Sequence, residues 1–537
     1  MGKVYGLFFG AHGHSTTLIV DGKIQYAVED ERITRIKTGR AWWHCPSDSL
    51  NAIEQASKIK LEDADSIVIG DPTMLLTTYE GADQCMKDYR NRLYNLKDKI
   101  TFFPHHNSHA YSSYYNSGFT EKTLVIVYDG MGYEKEFATI WLAENGKMTK
   151  VHSLNYHEHG SLTSLWFEAC SFYNWLPTKD EGKIMGMAGH GKYDDYLYNA
   201  FKSCATYSGN LQFYPASNLP VCSFVYSQLR KEGYFSTQEK KQDFAYNLQK
   251  YTEDTFLKYL KDITSLYPDY RNLAVAGGIF ANVKLNQVIN ESGLFDQMFI
   301  CPAMGDEGIS LGAAIKGAID LGDWKGVKKL ENAFLGLEYT QEEIDSYAST
   351  LPVESQPLNY KTVGRLIHEG NIIALFNGRF EFGPRALGAR SVMVRPTDAE
   401  THEVLNTRLE RHEIMPFAPF VMAEYADIVF DVPQSEHAAE FMTMCYTVRK
   451  EWTDKIPAVI HRVDNTGRPQ IVYKHKNPVF WNVLNEYNKI SGIPVMLNTS
   501  FNGHGEPIIN APDQAFNHLI KGTIDYLIAG NKIYKKK

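Results

Sequence analysis

The chain reads Phe103-Pro104-His105-His106-Asn107-Ser108-His109-Ala110, and far downstream Gly305-Asp306-Glu307-Gly308 at the end of an apolar run. On a helix, His105 and His109 stand one turn apart on the same face. Two neutral imidazoles and a distant carboxylate make a three-ligand divalent-metal site with positions left for water or substrate. The protease pattern His-Glu-x-x-His is absent, so a metalloprotease has no support. The competing reading is a polar helix start with its histidines in solvent. The elements that must position these side chains decide between the two.

Those elements repeat. Val4 to Ala11 is an apolar strand, His12-Gly13-His14 a small polar turn and Ser15 to Val20 a second strand. Asp21-Gly22 then turns the chain into a third strand, Lys23 to Val28. Asp-Gly favours a tight primed hairpin because both turn positions need positive φ. The pattern returns as the strand Thr123 to Tyr128, the loop Asp129-Gly130-Met131-Gly132, the strand Ala138 to Ala143 and the turn Asn145-Gly146. Two copies of strand, Gly-containing loop, strand, turn and strand predict an internally duplicated α/β domain. Exposed amides in such loops can cradle phosphate oxygens. A third element, the buried strand Leu273-Ala274-Val275-Ala276, leads through Gly277-Gly278 into a helix from Asn282 to Ile289. The Gly-Gly turn allows close ligand approach, and a helix start favours negative charge. Together the three fit an actin-like nucleotide-binding fold. Gly186-Met187-Ala188-Gly189-His190-Gly191-Lys192 imitates a P-loop, but Tyr193 stands where Ser or Thr should ligate magnesium, and no buried strand precedes it.

At 537 residues the chain has room for roughly three or four compact units. A formal charge of −8 argues against a generally basic coat for nucleic acid but leaves room for a local basic groove. The seven cysteines (Cys45, Cys85, Cys170, Cys204, Cys222, Cys301 and Cys445) are scattered and odd in number, without a C-x-x-C pair. That pattern suits reduced thiols and a cytoplasmic protein. The opening residues read as a buried strand and not a signal peptide, and no run approaches the roughly 18 apolar residues of a membrane span.

Charged, turn-rich sequence between Gly322 and Tyr339 reads as a linker. The expected division is therefore residues 1–330 and 331–537. The second part carries Arg379, Arg385 and Arg390 interleaved with Gly and Pro, in stretches too apolar for simple surface. Guanidinium forks match oxyanion geometry, and glycines let backbone approach closely. Ordinary ion-paired arginines are the alternative.

These segments resemble the NodU/CmcH-type O-carbamoyltransferases over nearly the whole chain. The resemblance runs through His14-Ser15, Glu29-Asp30-Glu31-Arg32-Ile33-Thr34-Arg35-Ile36-Lys37, His105-His106-x-x-His109-Ala110, Tyr128-Asp129-Gly130 and Glu181-Gly182-Lys183-Ile184-Met185-Gly186-Met187-Ala188. It continues through Gly277-Gly278 and Gly305-Asp306-Glu307-Gly308. The most specific segments are Glu381-Phe382-Gly383-Pro384-Arg385-Ala386-Leu387-Gly388 and Leu497-Asn498-Thr499-Ser500-Phe501-Asn502. It implies an actin-like (ASKHA, TsaD-like) first domain and an α+β, YrdC-like second domain. It also implies ATP with Mg2+ and carbamoyl phosphate as substrates, a carbamoyl-adenylate made in the second domain, and its carbamoyl group passed in the first to an acceptor hydroxyl. His105, His109, Asp129 and Asp306 are the implied ligands of a divalent metal, Fe2+ first, with Mn2+ or Zn2+ as alternatives. His14, as base for the acceptor hydroxyl, Arg385 and Arg411 are the implied catalytic residues. The binding side falls to Lys183, Gly277, Gly278, Asn282, Arg379, Arg390, His461, Arg468, Asn498, Ser500 and Asn502.

The chain departs from the pattern at Leu409, Met415 and His504, where many relatives carry basic residues. Relatives carbamoylate antibiotics, nodulation oligosaccharides and other small molecules; a 5-hydroxymethyl pyrimidine, as nucleotide or in DNA, is the chemical alternative. A tRNA threonylcarbamoyl transferase is disfavoured by the fused second domain, and a sugar kinase would not need His105, His109 and Asp306. An inert nucleotide-binding protein would not need to keep every proposed ligand. Homo-oligomerisation is left open.

Overall fold

The apolar runs and Asx-Gly turns become two copies of one sheet. The structure, a computed structural model, describes residues 2–10, 12–37, 47–71, 84–132, 134–410, 415–432 and 435–537. Strands β1 (Lys3–Phe8), β2 (Ser15–Val20), β3 (Lys23–Glu29), β4 (Ser66–Gly70) and β5 (Ile100–Phe103) form the first sheet. Strands β6 (Thr123–Tyr128), β7 (Glu136–Glu144) and β8 (Lys147–Asn155) begin the second. After a short hairpin of β9 (Thr206–Gly209) and β10 (Gln212–Tyr214), it is completed by β11 (Asn272–Ala276) and β12 (Gln297–Ile300). The orders are β3-β2-β1-β4-β5 and β8-β7-β6-β11-β12. In each, a three-stranded antiparallel meander is extended by two parallel strands. Both tight turns have the predicted left-handed pair, with φ of 51° and 68° at Asp21-Gly22 and 50° and 75° at Asn145-Gly146.

Two helices fill the space between the sheets. Ile309–Asp320 packs on β1, β2 and β4, His105–Ser117 packs on β6, β7 and β11, and the two pack on each other. Glycine sets their spacing, since a β-carbon at Gly312 would collide with the carbonyl of Ser108. The His105 helix is therefore buried, which removes the solvent-facing reading of its histidines. An aromatic-rich helical insertion lies between β8 and β11 and includes the 29-residue helix Gln238–Leu266. Tyr128, Phe213, Phe256 and Tyr259 meet edge to face where it joins the sheet.

A third, eight-stranded mixed sheet uses strands from Val353–Pro357 to Lys532–Lys536 and none from the first two. The segment read as a linker is tied down instead of free. Lys328 and Leu330 donate to the carbonyls of Tyr115 and Asn116, the carbonyl of Leu335 accepts from Ala27, and Gly336 donates to Phe380. Its charged residues are a strap whose backbone is satisfied on both sides. The P-loop imitation is the end of the helix Glu181–Ala188 and the turn after it, so no phosphate loop forms there. Among the described residues no helix is long and apolar enough to cross a membrane. The cysteines 170, 204, 222, 301 and 445 are free and buried; Cys45 lies outside the described residues, and Cys85 is in the helix Gln84–Asn95.

Candidate metal centre and the arginine loop

Three chain ends converge in the cleft between the sheets. Pro104 precedes His105, the first residue of its helix, and His109 follows one turn later. Asp129 leaves the end of β6, and Asp306 opens a single 3-10 turn that feeds the helix Ile309–Asp320. One donor atom from each of His105, His109, Asp129 and Asp306 lies within 4.8 Å of the other three. His105 Nε2 is 3.2 Å from Asp129 Oδ2 and 3.5 Å from Asp306 Oδ1. His109 Nε2 is 3.6 Å and 3.5 Å from the same two atoms. Among the described residues neither buried ring nitrogen of His109 has a hydrogen-bond partner, so this imidazole is costly here unless something else binds it. Two imidazole nitrogens and two carboxylates are a donor set for iron, manganese or zinc. The residues fit a divalent metal.

The surroundings fix these donors. His105 Nδ1 lies 2.9 Å from Asp71 Oδ2, a carboxylate that holds the ring and leaves Nε2 aimed into the cluster. Gly278 donates its N–H to Asp129 Oδ1 at 2.7 Å. One amide of the Gly-Gly turn thus orients a carboxylate, and the α-helix itself starts only at Val283, after a 3-10 turn. Burial opposes charge on His105, but Asp306, Asp129 and Asp71 outweigh it and raise its pKa well above the usual value. His109 is likewise raised against burial by Asp129 and Asp306. Burial also opposes ionisation of Asp129, yet the two histidines hold it well below the carboxylate range. The cluster is a tightly balanced set of buried opposite charges.

The turn between β1 and β2 closes one side. Gly13, at φ 70°, packs so that a β-carbon would stand 3.2 Å from Asp306 Cβ. His12 Nδ1 lies 3.6 Å from Asp306 Oδ2 with about a third of its side chain exposed. His14 is buried, with Nε2 2.8 Å from the carbonyl of Gly10. A carbonyl can only accept, so in the neutral ring Nε2 carries the proton and Nδ1 is the basic atom. Sequence reasoning missed His12 and Asp71. The only local sign of Asp71 is its position right after an apolar strand, where it takes a φ of 62°.

Arg385 sits on a loop whose backbone is held by side chains. Glu381 Oε1 accepts from the amides of Leu387, Ala389 and Arg390 at 2.8, 2.7 and 3.1 Å. Asn498, Gln470 and Asn477 donate to the carbonyls of Ala386, Leu387 and Gly388. Arg385 and Arg468 share a neighbourhood with Lys284 and Asp464, since all four act on the buried Cys445 thiol. Burial raises that thiol to about 11, and the three cations oppose the rise. Lys284, from the first half, was not read from sequence; its Nζ is 2.9 Å from Asp464 Oδ2.

The remaining predicted residues make the following contacts within the fold. Arg379 donates to the carbonyls of Gln25, Leu335 and Gly336. Arg390 is fully buried, stacks on Phe376 and donates to the carbonyls of Asn377, Gly378 and Ala389. Asn282 caps the helix that follows it, and Asn502 donates to the carbonyls of Gly503 and Glu506. Lys183 pairs with Asp180 and lies over Trp175. His461 pairs with Asp464 and lies beside His190, and Ser500 pairs with Ser391 across the third sheet. Leu409 is core, and Met415 packs against Gly186. Arg411 lies outside the described residues.

Comparison with known proteins gives the family. The family model "Carbamoyltransferase N-terminus" matches residues 75–315, and "Carbamoyltransferase C-terminus" matches 364–536. Nodulation protein NolNO of Sinorhizobium fredii is 30% identical over 98% of this chain and 79% of its own length. Nodulation protein NolO of Bradyrhizobium diazoefficiens is 30% identical over 81% of this chain and 79% of its own. A solved HypF in its phosphate- and nucleotide-bound form aligns with 60% of this chain and 56% of its own at 15% identity and a TM-score of 0.34, too slight to add to the strand order. The chain belongs to the carbamoyltransferase family, of the NodU/CmcH type.

Proposed function

We propose that the chain is an ATP-dependent O-carbamoyltransferase with two half-reactions, divided between residues 331–537, read as YrdC-like, and residues 1–330, read as actin-like and TsaD-like. The first half-reaction consumes ATP, carbamoyl phosphate and one water, and yields carbamoyl-adenylate, pyrophosphate and phosphate. The second joins the carbamoyl carbon to an acceptor hydroxyl oxygen and releases AMP. The observation that carries the reading is the four-residue cluster of His105, His109, Asp129 and Asp306, together with an arginine loop held by Glu381, in a chain of this family.

Each group has a task that its surroundings suit. Arg385 and Arg468, with Arg411, bind the anionic oxygens of donor and nucleotide, where a guanidinium fork gives direction as well as charge. His105, His109, Asp129 and Asp306 would hold a divalent metal, which when bound supplies Lewis-acid polarisation of a carbonyl or phosphate oxygen. Asp71 keeps His105 in the tautomer that offers Nε2. His14 takes the acceptor hydroxyl proton at Nδ1. The acceptor is a hydroxyl-bearing small molecule of antibiotic, sugar or nucleoside type. The test is mass spectrometry of candidate alcohols after incubation with ATP, carbamoyl phosphate and the protein. A carbamoyl adduct with matching AMP release is expected. Neither product nor AMP across a broad panel of alcohols would overturn the assignment.

A further inference from the structure

The segment Glu29–Lys37 is prominent in the sequence, yet neither half-reaction uses it. In the structure it is where the first half grips the second. Glu29 Oε1 accepts the N–H of Gly383 at 2.5 Å, and Arg32 Nη2 donates to the carbonyl of the same glycine at 2.6 Å. Arg32 Nε stands 3.5 Å from Glu29 Oε2, and both side chains are almost sealed from water. Arg35 donates to the carbonyls of Ile508 and Pro507, and Asn510 donates to the carbonyl of Arg32.

Gly383 lies two residues before Arg385. Its φ of 111° suits glycine alone, and a β-carbon there would stand 2.8 Å from the carbonyl of Pro302. Pro302 begins the turn that delivers Asp306. On the other side, Asp30 donates its N–H to the carbonyl of His14 at 2.9 Å. One short segment therefore touches the loop of the proposed base and both peptide groups at the root of the arginine loop.

We propose that Glu29 and Arg32 are positioning residues, a latch that sets Arg385 against the first-half site. Glu381 and the three amides of Asn498, Gln470 and Asn477 shape the far side of the loop, and the latch fixes its near side. An ion pair so buried is poor evidence for stability alone, because desolvation offsets its attraction. Its two hydrogen bonds to one glycine give it a directional task. This inference rests on the proposed role of Arg385 in using carbamoyl phosphate.

The test is a double-mutant cycle on the full chain, read as pyrophosphate release from ATP and carbamoyl phosphate. Because R32A leaves the buried Glu29 carboxyl without its partner, the decisive variant is E29Q/R32Q, which replaces both ionisable groups together. It is expected to raise the KM for carbamoyl phosphate at least tenfold while bound metal and melting temperature stay close to those of the parent. Added to R385A, it should cost nothing further, since the latch acts through that arginine. E29Q, which keeps an acceptor for Gly383, should recover most of what E29A loses. Additive losses with R385A, or a loss that follows melting temperature alone, would overturn the latch. A parent protein that releases no pyrophosphate would overturn the proposed function, and the latch with it.

Discussion

The metal cluster depends on a residue outside it, Asp71, whose carboxylate lies 2.9 Å from His105 Nδ1 and turns Nε2 toward the other ligands. His105 and His109 are a helical turn apart, and Asp306 follows an apolar run, so a shared site could be inferred before their contact was known. Asp71 could not, because it comes from another strand and meets His105 only once the first sheet is built. Replacing it tests what the structure adds. D71N keeps the shape but lets Nδ1 meet an amide instead of a carboxylate. Metal affinity should fall roughly ten- to hundred-fold, read by equilibrium dialysis with unchanged circular dichroism. Asp30 gives a pH prediction. Its carboxyl is buried and accepts from Ser49, and burial pushes its pKa up from 3.8 to about 7. The folded state then keeps a proton that the unfolded state releases. Stability from this residue is full below pH about 4 and falls as pH rises through about 7. D30N keeps the acceptor for Ser49 and carries no charge, so it should melt higher than the parent at pH 8 and match it near pH 4.

Elements were read well where turn chemistry is local. Asp21-Gly22 and Asn145-Gly146 announced both hairpins, because left-handed pairs have few other residue choices. Helix starts were harder, since Asn282 can cap a helix at any distance from the Gly-Gly turn and only packing decides it. The price of that turn is testable. At Gly277, φ is 106° and a β-carbon would press on the backbone of Tyr128. G277A should therefore lower stability by about 1–3 kcal/mol. It should also loosen the Gly278 amide from Asp129, so urea midpoint and metal retention fall together. Loss of stability with metal retention intact would mean that the turn does not hold Asp129.

At the scale of the whole molecule, the duplicated sheet was visible in the sequence because each copy repeats the same turns. The relation between the halves was not, since charged sequence near residue 325 reads as a linker whether or not its backbone finds partners. The structure instead packs Gly383, two residues before Arg385, on the backbone of Pro302 and Ala303, at the start of the turn that carries Asp306. That closeness makes separation of the half-reactions a sharp test. Arg385→Ala removes a charge-assisted contact worth ~1.5–3 kcal/mol, or roughly a ten- to hundred-fold effect on the step that uses it. With two sites, R385A should release little pyrophosphate from ATP and carbamoyl phosphate, yet transfer normally from supplied carbamoyl-adenylate. His14→Ala should do the reverse, making the adenylate without passing the carbamoyl group on. Both variants can be followed in one assay by pyrophosphate and AMP release. If R385A also fails with supplied adenylate, the arginine loop and the metal cluster act as one composite site, as the packing of Gly383, two residues before Arg385, on Pro302, four residues before Asp306, would allow.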